Sequence, residues 1–518
     1  MALLAFLDRD HSVAPPGFNR WRIPPAALAI HLAIGQAYAF SVFNLPLSTL
    51  QGISAPAPGD WRLSSIGWIF SIAIVFLGLS AFTFGRWLER VGPRKAMFAA
   101  ATCFGGGFVV AAVGVRLHLF WLVVLGYGVI GGIGLGLGYI SPVSTLIKWF
   151  PDRPGMATGM AIMGFGGGAM IGSPLAVALM AHFRTPASMG VAESFVAMGV
   201  AYFLFMLFGV FTVRLPAPGW SPGHVGGGTP QVKVEAGDDV HVDDAIRTPQ
   251  FWLLWAVLCL NVTAGIGVLG QASPMIQEMF PGTIDAGAAA GFVGLLSLAN
   301  MAGRFAWSSL SDVIGRQRTY MIFFALGAVL YASVPGAGRS GAVVLFVLFY
   351  VVIMSMYGGG FATIPAYLRD EFGTMHVGAI HGRLLTAWSF AGVAGPVLVN
   401  YLREYQIGRG VAARDAYSVT MYLMAGLLVL GFAANWFVQP VASRRRYAIE
   451  PVPAATGNVG GTSAVFGGFA GRGVGASEGG VGAAGGAGWK LAASWLLVGL
   501  PAAWGVAQVV VKSLALFR

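Results

Sequence analysis

Long apolar runs, separated by short polar segments, make up most of this sequence. A helix that crosses the roughly 30 Å hydrocarbon core of a bilayer needs about 20 mostly apolar residues. Twelve such runs lie at residues 25–46, 65–87, 96–116, 119–145, 156–181, 190–213, 250–271, 288–310, 319–336, 342–366, 379–402 and 416–438. A thirteenth, LAASWLLVGLPAAWGVAQVVV, lies at residues 491–511. The pattern predicts an all-α membrane protein of twelve spanning helices, with one further transmembrane helix near the C-terminus.

Two longer polar segments divide the chain. Residues 214–249 are rich in Gly, Pro and charged residues, and they separate six apolar runs from six. Residues 441–489 are rich in Gly and lack the apolar positions that a packed core needs. The predicted organisation is therefore a six-helix bundle at 1–213, a central loop at 214–249, a second six-helix bundle at 250–440, a linker at 441–489 and a last helix at 490–518.

The two bundles also share a sequence repeat. A constant offset of 223 residues relates Glu89 to Asp312, Gly92 to Gly315, Pro142 to Pro365, Gly155 to Gly378 and Gly159 to Gly382. An offset held at five positions predicts that the second bundle is a copy of the first. Duplicated bundles with a binding site between them are typical of membrane transporters.

Composition and charge agree with a membrane protein. The chain has 518 residues, of which 56% are hydrophobic and 10% are charged, whereas soluble domains carry about 25% charged residues. The net charge of +11 comes from Lys and Arg in short loops, which indicates topology signals rather than a nucleic-acid surface. These residues are more numerous beside the N-terminus and both long loops, which predicts that this side faces the cytoplasm at the cell membrane. Cys103 and Cys259 lie in apolar runs, so neither a disulfide nor a cysteine-ligated metal is expected.

One arginine lies deep inside the eighth apolar run. Arg304 is on the order of 12 Å from the polar boundary at Asp312, at 1.5 Å of rise per residue. Ser297, Asn300, Arg304 and Ser308 recur at spacings of three and four, so they form one polar stripe on the helix. Such a stripe is costly in lipid and predicts a water-filled cavity or a helix contact. The spans offer almost no Asp or Glu to pair with Arg304, which favours a substrate anion as its partner over a fixed carboxylate.

Several polar aromatic residues fall inside other spans. His31 and Tyr38 are seven residues apart in the first run and share a helical face. Tyr139 and Tyr357 lie in glycine-rich parts of the fourth and tenth runs. Each of these residues is a candidate for substrate contact, and for each of them helix packing is an equally good explanation.

Three segments carry a resemblance to known transporters. GRWLERVGPRK at 85–95 resembles the signature between helices 2 and 3 of the major facilitator superfamily, and SDVIGRQR at 311–318 resembles its weaker copy between helices 8 and 9. GLGYISPVSTLIKWFPDRPGMATGMAIMGFGGGA and GRLLTAWSFAGVAGP look like the oxalate/formate antiporter family. The C-terminal run resembles a one-helix small subunit that accompanies some members as a separate chain. The resemblance implies a twelve-helix major facilitator fold with a fused thirteenth helix.

The resemblance also suggests which residues bind the substrate. The family places a binding arginine in helix 8, and Arg304 matches it; an aromatic position of the family's pocket matches Tyr38. Oxalate carriers add a lysine in helix 11, where this chain has Trp388. With one cation instead of two, the site is expected to prefer a monocarboxylate. Together the predicted substrate-binding residues are Arg304, Asn300, His31, Tyr38, Tyr139, Tyr357 and Trp388.

Charged residues in the repeated loop motif are candidates for a gate. Glu89, Arg90, Arg94, Asp312 and Arg316 lie at the cytoplasmic ends of the predicted helices. They are expected to form a charge network that holds this side shut when the carrier faces outward. The alternative is that these charges only set the topology.

The predicted function is secondary transport of small organic anions such as formate, pyruvate or lactate, with oxalate left open, by alternating-access exchange around Arg304. The chain is expected to act as a monomer, without cofactor, metal or nucleic acid. An enzyme is disfavoured because no nucleophile–base set, carboxylate pair or metal-ligand cluster falls in the spans. Two alternatives remain: proton-coupled carboxylate symport through His31, and a membrane sensor derived from a carrier.

Overall fold

A computed structural model describes residues 5–53, 57–218, 220, 222, 239–284, 286–440 and 485–513. These residues form long helices, and no β-strand occurs among them beyond two isolated bridges. The helices are α1 (Arg20–Leu47), α2 (Leu63–Val91), α3 (Pro93–Arg116), α4 (Phe120–Trp149), α5 (Pro154–Phe183), α6 (Val191–Thr212), α7 (Pro249–Met279), α8 (Ala286–Ile314), α9 (Arg316–Arg339), α10 (Val343–Phe372), α11 (Val377–Gly408), α12 (Ser418–Trp436) and α13 (Gly485–Ser513).

The predicted fold class is confirmed. Twelve helices among the described residues are long and apolar enough to cross a membrane, and α13 is one of them. The long helix outside that set is α8, which carries the polar stripe of Asn300, Arg304 and Ser308. Residues 219, 221 and 223–238 of the predicted central loop and residues 441–484 of the predicted linker lie outside the described residues.

The repeat in the sequence corresponds to a repeat in the structure. Gly92 ends α2 with φ +85°, and Gly315 ends α8 with φ +91°. This region of backbone space is open to glycine and strained for other residues, so each glycine permits the tight turn into the next helix. The turns lie at matched positions of the two bundles.

The two bundles meet along two helix pairs, α5 with α8 and α2 with α11. Small residues line both contacts: Gly159 leaves no room for a Cβ atom beside Arg304 O, and Gly382 leaves none beside Ala81 O. Close approach through small residues is how helices associate in membranes. These contacts lie toward the end of the molecule that carries Glu89 and Asp312. We call this end the N-terminal face, because the N-terminal segment packs there.

That N-terminal segment is joined to the chain that leaves α6. Ala14 donates its backbone N–H to Leu215 O at 2.8 Å, and Leu215 donates to Ser12 O at 2.8 Å. The pair forms a short parallel bridge across the base of the first bundle.

Three helices depart from regular α geometry. In α1 the α-helix gives way to a 3₁₀-helix over Gly35–Phe43. A π-helical stretch occupies Val124–Gly131 of α4, and α11 is interrupted between Leu384 and Thr386. Gly35 packs against Phe165 O of α5 with no space for a side chain, so the winding changes in α1 where it approaches α5 most closely. Mid-helix changes of this kind often mark functional sites.

Candidate functional site

Arg304 of α8 is fully buried against α5 of the other bundle. Its Nε donates to Asn300 Oδ1 at 3.0 Å, and its Nη1 donates to Ile162 O of α5 at 3.3 Å. Its Nη2 has no hydrogen-bond partner among the described residues. None of the ion pairs found between described residues involves Arg304. The guanidinium is therefore held in position and keeps one donor group unused.

Aromatic rings surround this guanidinium. Its central carbon lies 5.6 Å from the centre of the Phe165 ring and 5.3 Å from that of Phe361. Trp388 packs 5.3 Å from Phe165 and 4.6 Å from Phe361, and Tyr139 packs 5.3 Å from Trp388. Phe165 and Tyr139 belong to the first bundle, whereas Arg304, Phe361 and Trp388 belong to the second. The cage is thus assembled by both halves of the protein.

Other buried polar groups in the cage also lack partners. Tyr139 Oη, Trp388 Nε1 and His31 Nε2 have no hydrogen-bond partner among the described residues. The first two are donors, whereas Nε2 of neutral His31 is an acceptor because Nδ1 donates to Ala27 O. The His31 ring lies 5.5 Å from that of Tyr139, and its Nδ1 is 3.1 Å from Ala27 O. Leaving a buried polar group unsatisfied costs about 1–3 kcal/mol. A carboxylate has two oxygens that accept several hydrogen bonds, so its chemistry matches a cation beside unused O–H and N–H donors.

Tyr38 and Tyr357 join the two bundles on the side of the cage away from the N-terminal face. Their hydroxyl oxygens are 3.3 Å apart. The Tyr38 ring lies 5.0 Å from Phe165 and 6.4 Å from Trp388, so it packs directly on the cage. All seven residues predicted for substrate binding therefore lie in one connected cluster around Arg304.

Two members of the cage, Phe165 and Phe361, were absent from the sequence-based set. An apolar residue in an apolar span gives no signal of its own. The repeat does contain a signal for one of them, because the offset of 223 relates Phe165 to Trp388. The same offset relates Ala81 to Arg304, so the cation has no counterpart in the first bundle.

One expectation about acidic residues is corrected by the length of α7. The helix continues to Met279, beyond the predicted end at 271, and contains Glu278. Glu278 pairs with Arg403 of α11, whose Nε lies 3.0 Å from Glu278 Oε2. This carboxylate is within one bundle and is committed to Arg403, so it does not neutralise Arg304.

At the N-terminal face, Asp312 connects the two bundles. Its carboxylate accepts hydrogen bonds from the backbone N–H groups of Gly155 and Met156 at 2.8 Å each. These groups lie in the first turn of α5, where unpaired N–H groups and the helix dipole attract an anion. Arg316 Nη2 donates to Asp312 Oδ1 at 2.5 Å and holds the carboxylate in place.

Glu89 occupies the matching position in the first bundle. Lys148 donates to Glu89 Oε2 at 2.7 Å, and Ser144 donates to Oε1 at 3.1 Å. Gly378, at the start of α11, lies so close that a Cβ atom on it would be 2.6 Å from Glu89 Oε1. Glu89 therefore faces the first turn of α11 as Asp312 faces that of α5.

Arg94 has a different place from the one predicted. It is buried, and it donates to three backbone oxygens: Val213 O at 3.3 Å, Phe6 O at 3.0 Å and His11 O at 2.8 Å. All three acceptors belong to the first bundle and its N-terminal segment. A guanidinium can satisfy several carbonyls at once, so Arg94 fastens the N-terminal segment rather than joining the two halves.

Arg90 lines a basic cleft at the N-terminal face. The cleft has a volume of about 640 Å³ and is bordered by α2, α4, the chain before α7 and the loop before α11. Its lining residues are Arg9, Arg86, Glu89, Arg90, Lys148, Leu215, Pro216, His241, Val242, Asp243, Met375 and His376. Arg86 pairs with Asp243, which joins α2 to the chain that precedes α7. No cluster of metal-ligating side chains was found among the described residues.

Two bundles that enclose a polar site between them, closed at one face and built on a sequence repeat, define a membrane transporter. The profile of the Major Facilitator Superfamily matches residues 26–396, and the chain belongs to this superfamily of secondary transporters. The homologues and structural neighbours described below are transporters as well, in agreement with the expectation that the chain is not an enzyme.

Known relatives support the same family. The oxalate:formate antiporter of Oxalobacter formigenes is 25% identical over 428 residues, covering 82% of this chain and 93% of that protein. Apicoplast pyruvate carrier 1 of Toxoplasma gondii is 28% identical over 385 residues, covering 63% of this chain and 68% of that protein. The crystal structure of the E. coli fucose:proton symporter superposes with a TM-score of 0.59 at 13% identity, covering 82% of this chain and all of that one.

Proposed function

We propose that this protein exchanges small monocarboxylates, such as formate, pyruvate or lactate, across the cell membrane. The observation that supports this proposal most directly is the buried guanidinium of Arg304. Its Nη2 has no hydrogen-bond partner among the described residues, and it lies inside a cage built by both bundles. Arginine stays charged in any protein environment and binds carboxylates through parallel hydrogen bonds. The substrate supplies the missing negative charge.

The preference for a single carboxylate follows from the charges around the cage. Ala81 takes the place of Arg304 in the first bundle, and Trp388 stands where oxalate carriers have a lysine. Trp388 Nε1 can donate one hydrogen bond but carries no charge. A second carboxylate would therefore be buried without a cation, which is costly. Two relatives, an oxalate:formate antiporter and a pyruvate carrier, agree by their names with this substrate class.

Access to the cage alternates between the two faces. The backbone contacts of Asp312 and the approach of Glu89 to Gly378 close the N-terminal face in this conformation. The excess of basic residues supports a cytoplasmic position for that face; on the other side of the cage, the Tyr38–Tyr357 contact still joins the two bundles. Asp312, Arg316 and Glu89 act as the gate, with Arg90 at its mouth, and one chain is the functional unit.

Exchange, rather than free uniport, follows from the energetics of the empty site. Without substrate, Arg304 must pass through a closed intermediate as an unneutralised cation, and burying a single charge costs several kcal/mol. With a carboxylate bound, the pair is neutral. The loaded carrier therefore reorients faster than the empty one.

His31 provides a second candidate mechanism. It lies in the cage beside Tyr139, and its Nε2 has no partner among the described residues. An imidazole that gains a proton together with the substrate would couple uptake to the proton gradient. In that case net uptake into empty vesicles would not need a counter-substrate.

The test is efflux of labelled formate, pyruvate, lactate or oxalate from preloaded proteoliposomes. For exchange, external unlabelled monocarboxylate accelerates efflux several-fold, whereas oxalate accelerates it less. Equal efflux with and without external substrate contradicts exchange. Uptake into empty vesicles that is driven by a pH gradient and lost in His31→Ala identifies the symport mechanism instead. If none of the four acids moves, the proposed substrate class is wrong.

A further inference from the structure

We propose that α13 is a wedge between the two bundles: it docks over the seam between α5 and α8 and favours the conformation that is closed at the N-terminal face. The proposal concerns a surface of the twelve-helix body and its occupant, the C-terminal helix of the same chain. It does not depend on the identity of the substrate.

One side of α13 packs on the first bundle. Val498 forms a buried cluster with Leu28, Ala29 and Leu32 of α1. About two turns further along, Gly505 lies against Met170 and Ile171 of α5, and a Cβ atom on it would be 3.1–3.2 Å from their atoms. α13 is therefore fitted closely to α1 and α5.

The same helix also packs on the second bundle. A Cβ atom on Gly294 of α8 would lie 3.3 Å from Val509 Cγ1. Val509 is buried in this contact, four residues after Gly505. α13 thus contacts both halves of the protein within a single turn.

This double contact lies beyond the last level at which a glycine of α5 touches α8. The two helices run antiparallel, and Gly155, Gly159 and Gly166 of α5 contact Ser308, Arg304 and Met301 of α8 in turn. Gly167 still touches Met301 Sδ. Beyond that level, Met170 of α5 faces Gly505 of α13, and Gly294 of α8 faces Val509 of α13. α13 therefore takes up space between the halves toward the face opposite the N-terminal face.

The packed positions recur with the spacing of a helical interface. Trp495, Val498, Gly505 and Val509 lie on one side of α13, in steps of three, seven and four residues that match a period near 3.5. The other side is exposed, with Leu496, Leu497, Leu500, Trp504 and Val510 available to lipid. A helix that packs through only one side can move away from the seam between α5 and α8 and still have a hydrophobic environment, because lipid replaces the lost contacts.

The mechanical consequence follows from alternating access. To open the N-terminal face, the bundles must approach each other at the opposite face, where Gly505 and Val509 fill the seam. α13 must then shift out of the seam. Contacts made only in one conformation increase the population of that conformation.

The first experiment compares two identical substitutions within α13. Gly505→Leu places a side chain against Met170 and Ile171, whereas Gly499→Leu points into open space, with nothing within 4 Å of its Cβ. The reporter is a cysteine introduced at Ser41, an exposed residue of α1, in a chain carrying Cys103→Ala and Cys259→Ala. Ser41 lies about one turn beyond Tyr38, which contacts Tyr357 of the second bundle, so its labelling rate with a membrane-impermeant maleimide reports access from the opposite face.

We expect Gly505→Leu to lower the labelling rate roughly threefold or more, since the undocked helix no longer favours this conformation. Gly499→Leu is expected to label like the unmodified chain. Equal rates for both variants overturn the proposal, as does an increase in Gly505→Leu. The readout needs no substrate, so its failure is separate from failure of the proposed function.

The second experiment locks the contact. A Cβ atom at Gly294 would be 3.7 Å from Val509 Cβ, within the roughly 3.5–4.5 Å range that a disulfide needs. In the same cysteine-free background, the pair Gly294→Cys and Val509→Cys is oxidised, and exchange is measured before and after reduction. A wedge that cannot leave blocks exchange until it is reduced, and each single-cysteine variant is insensitive to oxidation. Undiminished exchange by the cross-linked protein shows that α13 moves passively with α8 and contradicts the proposal.

Discussion

Asp312 accepts a hydrogen bond from the backbone N–H of Gly155 at 2.8 Å, across the boundary between the two bundles. The repeat of 223 residues relates Asp312 to Glu89 and Gly155 to Gly378, and Glu89 lies against Gly378. The sequence repeat therefore describes two matched contacts, each between a carboxylate and the start of a helix in the other bundle. Both contacts must break when the N-terminal face opens.

Removing one of these carboxylates should weaken closure of the N-terminal face. Asp312→Ala leaves the first N–H groups of α5 without an acceptor, and such a loss at a helix start costs about 1–2 kcal/mol. This loss disfavours the conformation that is closed at the N-terminal face, so the population whose opposite face is open should fall accordingly. The fall is measured as slower labelling of a cysteine at Ser41. Asp152→Ala is the control, because Asp152 pairs with Arg20 within the first bundle. Unchanged labelling in Asp312→Ala would show that this contact does not hold the gate.

Two buried arginines should respond to mutation in opposite ways. Arg304→Ala should abolish stabilisation of the purified protein by formate or pyruvate, since truncating one partner of a buried charge pair costs about 2–5 kcal/mol in binding. Arg304→Lys should restore little, because a lysine lacks the two-bond geometry. Arg94→Gln should lower the melting temperature through loss of the N-terminal segment's anchor, yet keep the response to substrate. Substrate-induced thermal shifts measure all three, and a normal shift in Arg304→Ala would refute the anchor role.

A positive charge at residue 388 should change the substrate preference. Trp388→Lys places an ammonium within the cage, near Phe165 and Phe361, where a second carboxylate would lie. Competition by oxalate against labelled formate should rise by about tenfold, which corresponds to about 1.4 kcal/mol. Trp388→Met removes the ring without adding charge and should not favour oxalate. If the unmodified protein already binds oxalate more tightly than formate, the inference from helix 11 is wrong.

His376, which lines the basic cleft, should make the stability of the protein depend on pH. Burial, together with the neighbouring His241, lowers the pKa of His376, while Glu89 and Asp239 oppose the shift and Lys148 adds to it. The folded protein therefore takes up a proton at this residue at lower pH than the unfolded chain, whose imidazole pKa is about 6.5. The contribution of His376 to stability is therefore complete above the unfolded pKa. It is lost as the pH falls through the pKa of His376 in the folded protein.

The measurement is the difference in melting temperature between the unmodified protein and His376→Gln. This difference should decrease when the pH is lowered from about 7.5 to about 5.5, across the ordinary histidine range. A difference that stays constant, or that increases in acid, contradicts the assigned direction.

The helices and the repeat could be predicted from the sequence because both depend on strong local signals. Apolar runs of membrane length define the spans, and Gly92 and Gly315 mark tight turns that few other residues tolerate. Arg304 was conspicuous because a cation is rare in such a run. The polar aromatic candidates were identified for the same reason.

Other parts of the site could not be predicted, because they depend on packing between distant segments. Phe165 and Phe361 look like any apolar residue until the two bundles are brought together. The sequence placed Arg94 in a gate, since it shows the charge but not the backbone oxygens of Phe6 and His11 that occupy it. Glu278 was missed because α7 extends beyond its most apolar part.

The presence of Ala81 where the second bundle has Arg304 makes the two halves unequal partners. A carboxylate held by Arg304 is fastened to the second bundle, whereas the first bundle offers it mainly the rings of Phe165 and Tyr139. In the proposed exchange, the anion would keep its place on α8 as the bundles rotate against each other, and it would move past those rings. On this proposal the second bundle would carry the substrate, and the first bundle would form the surface that moves past it.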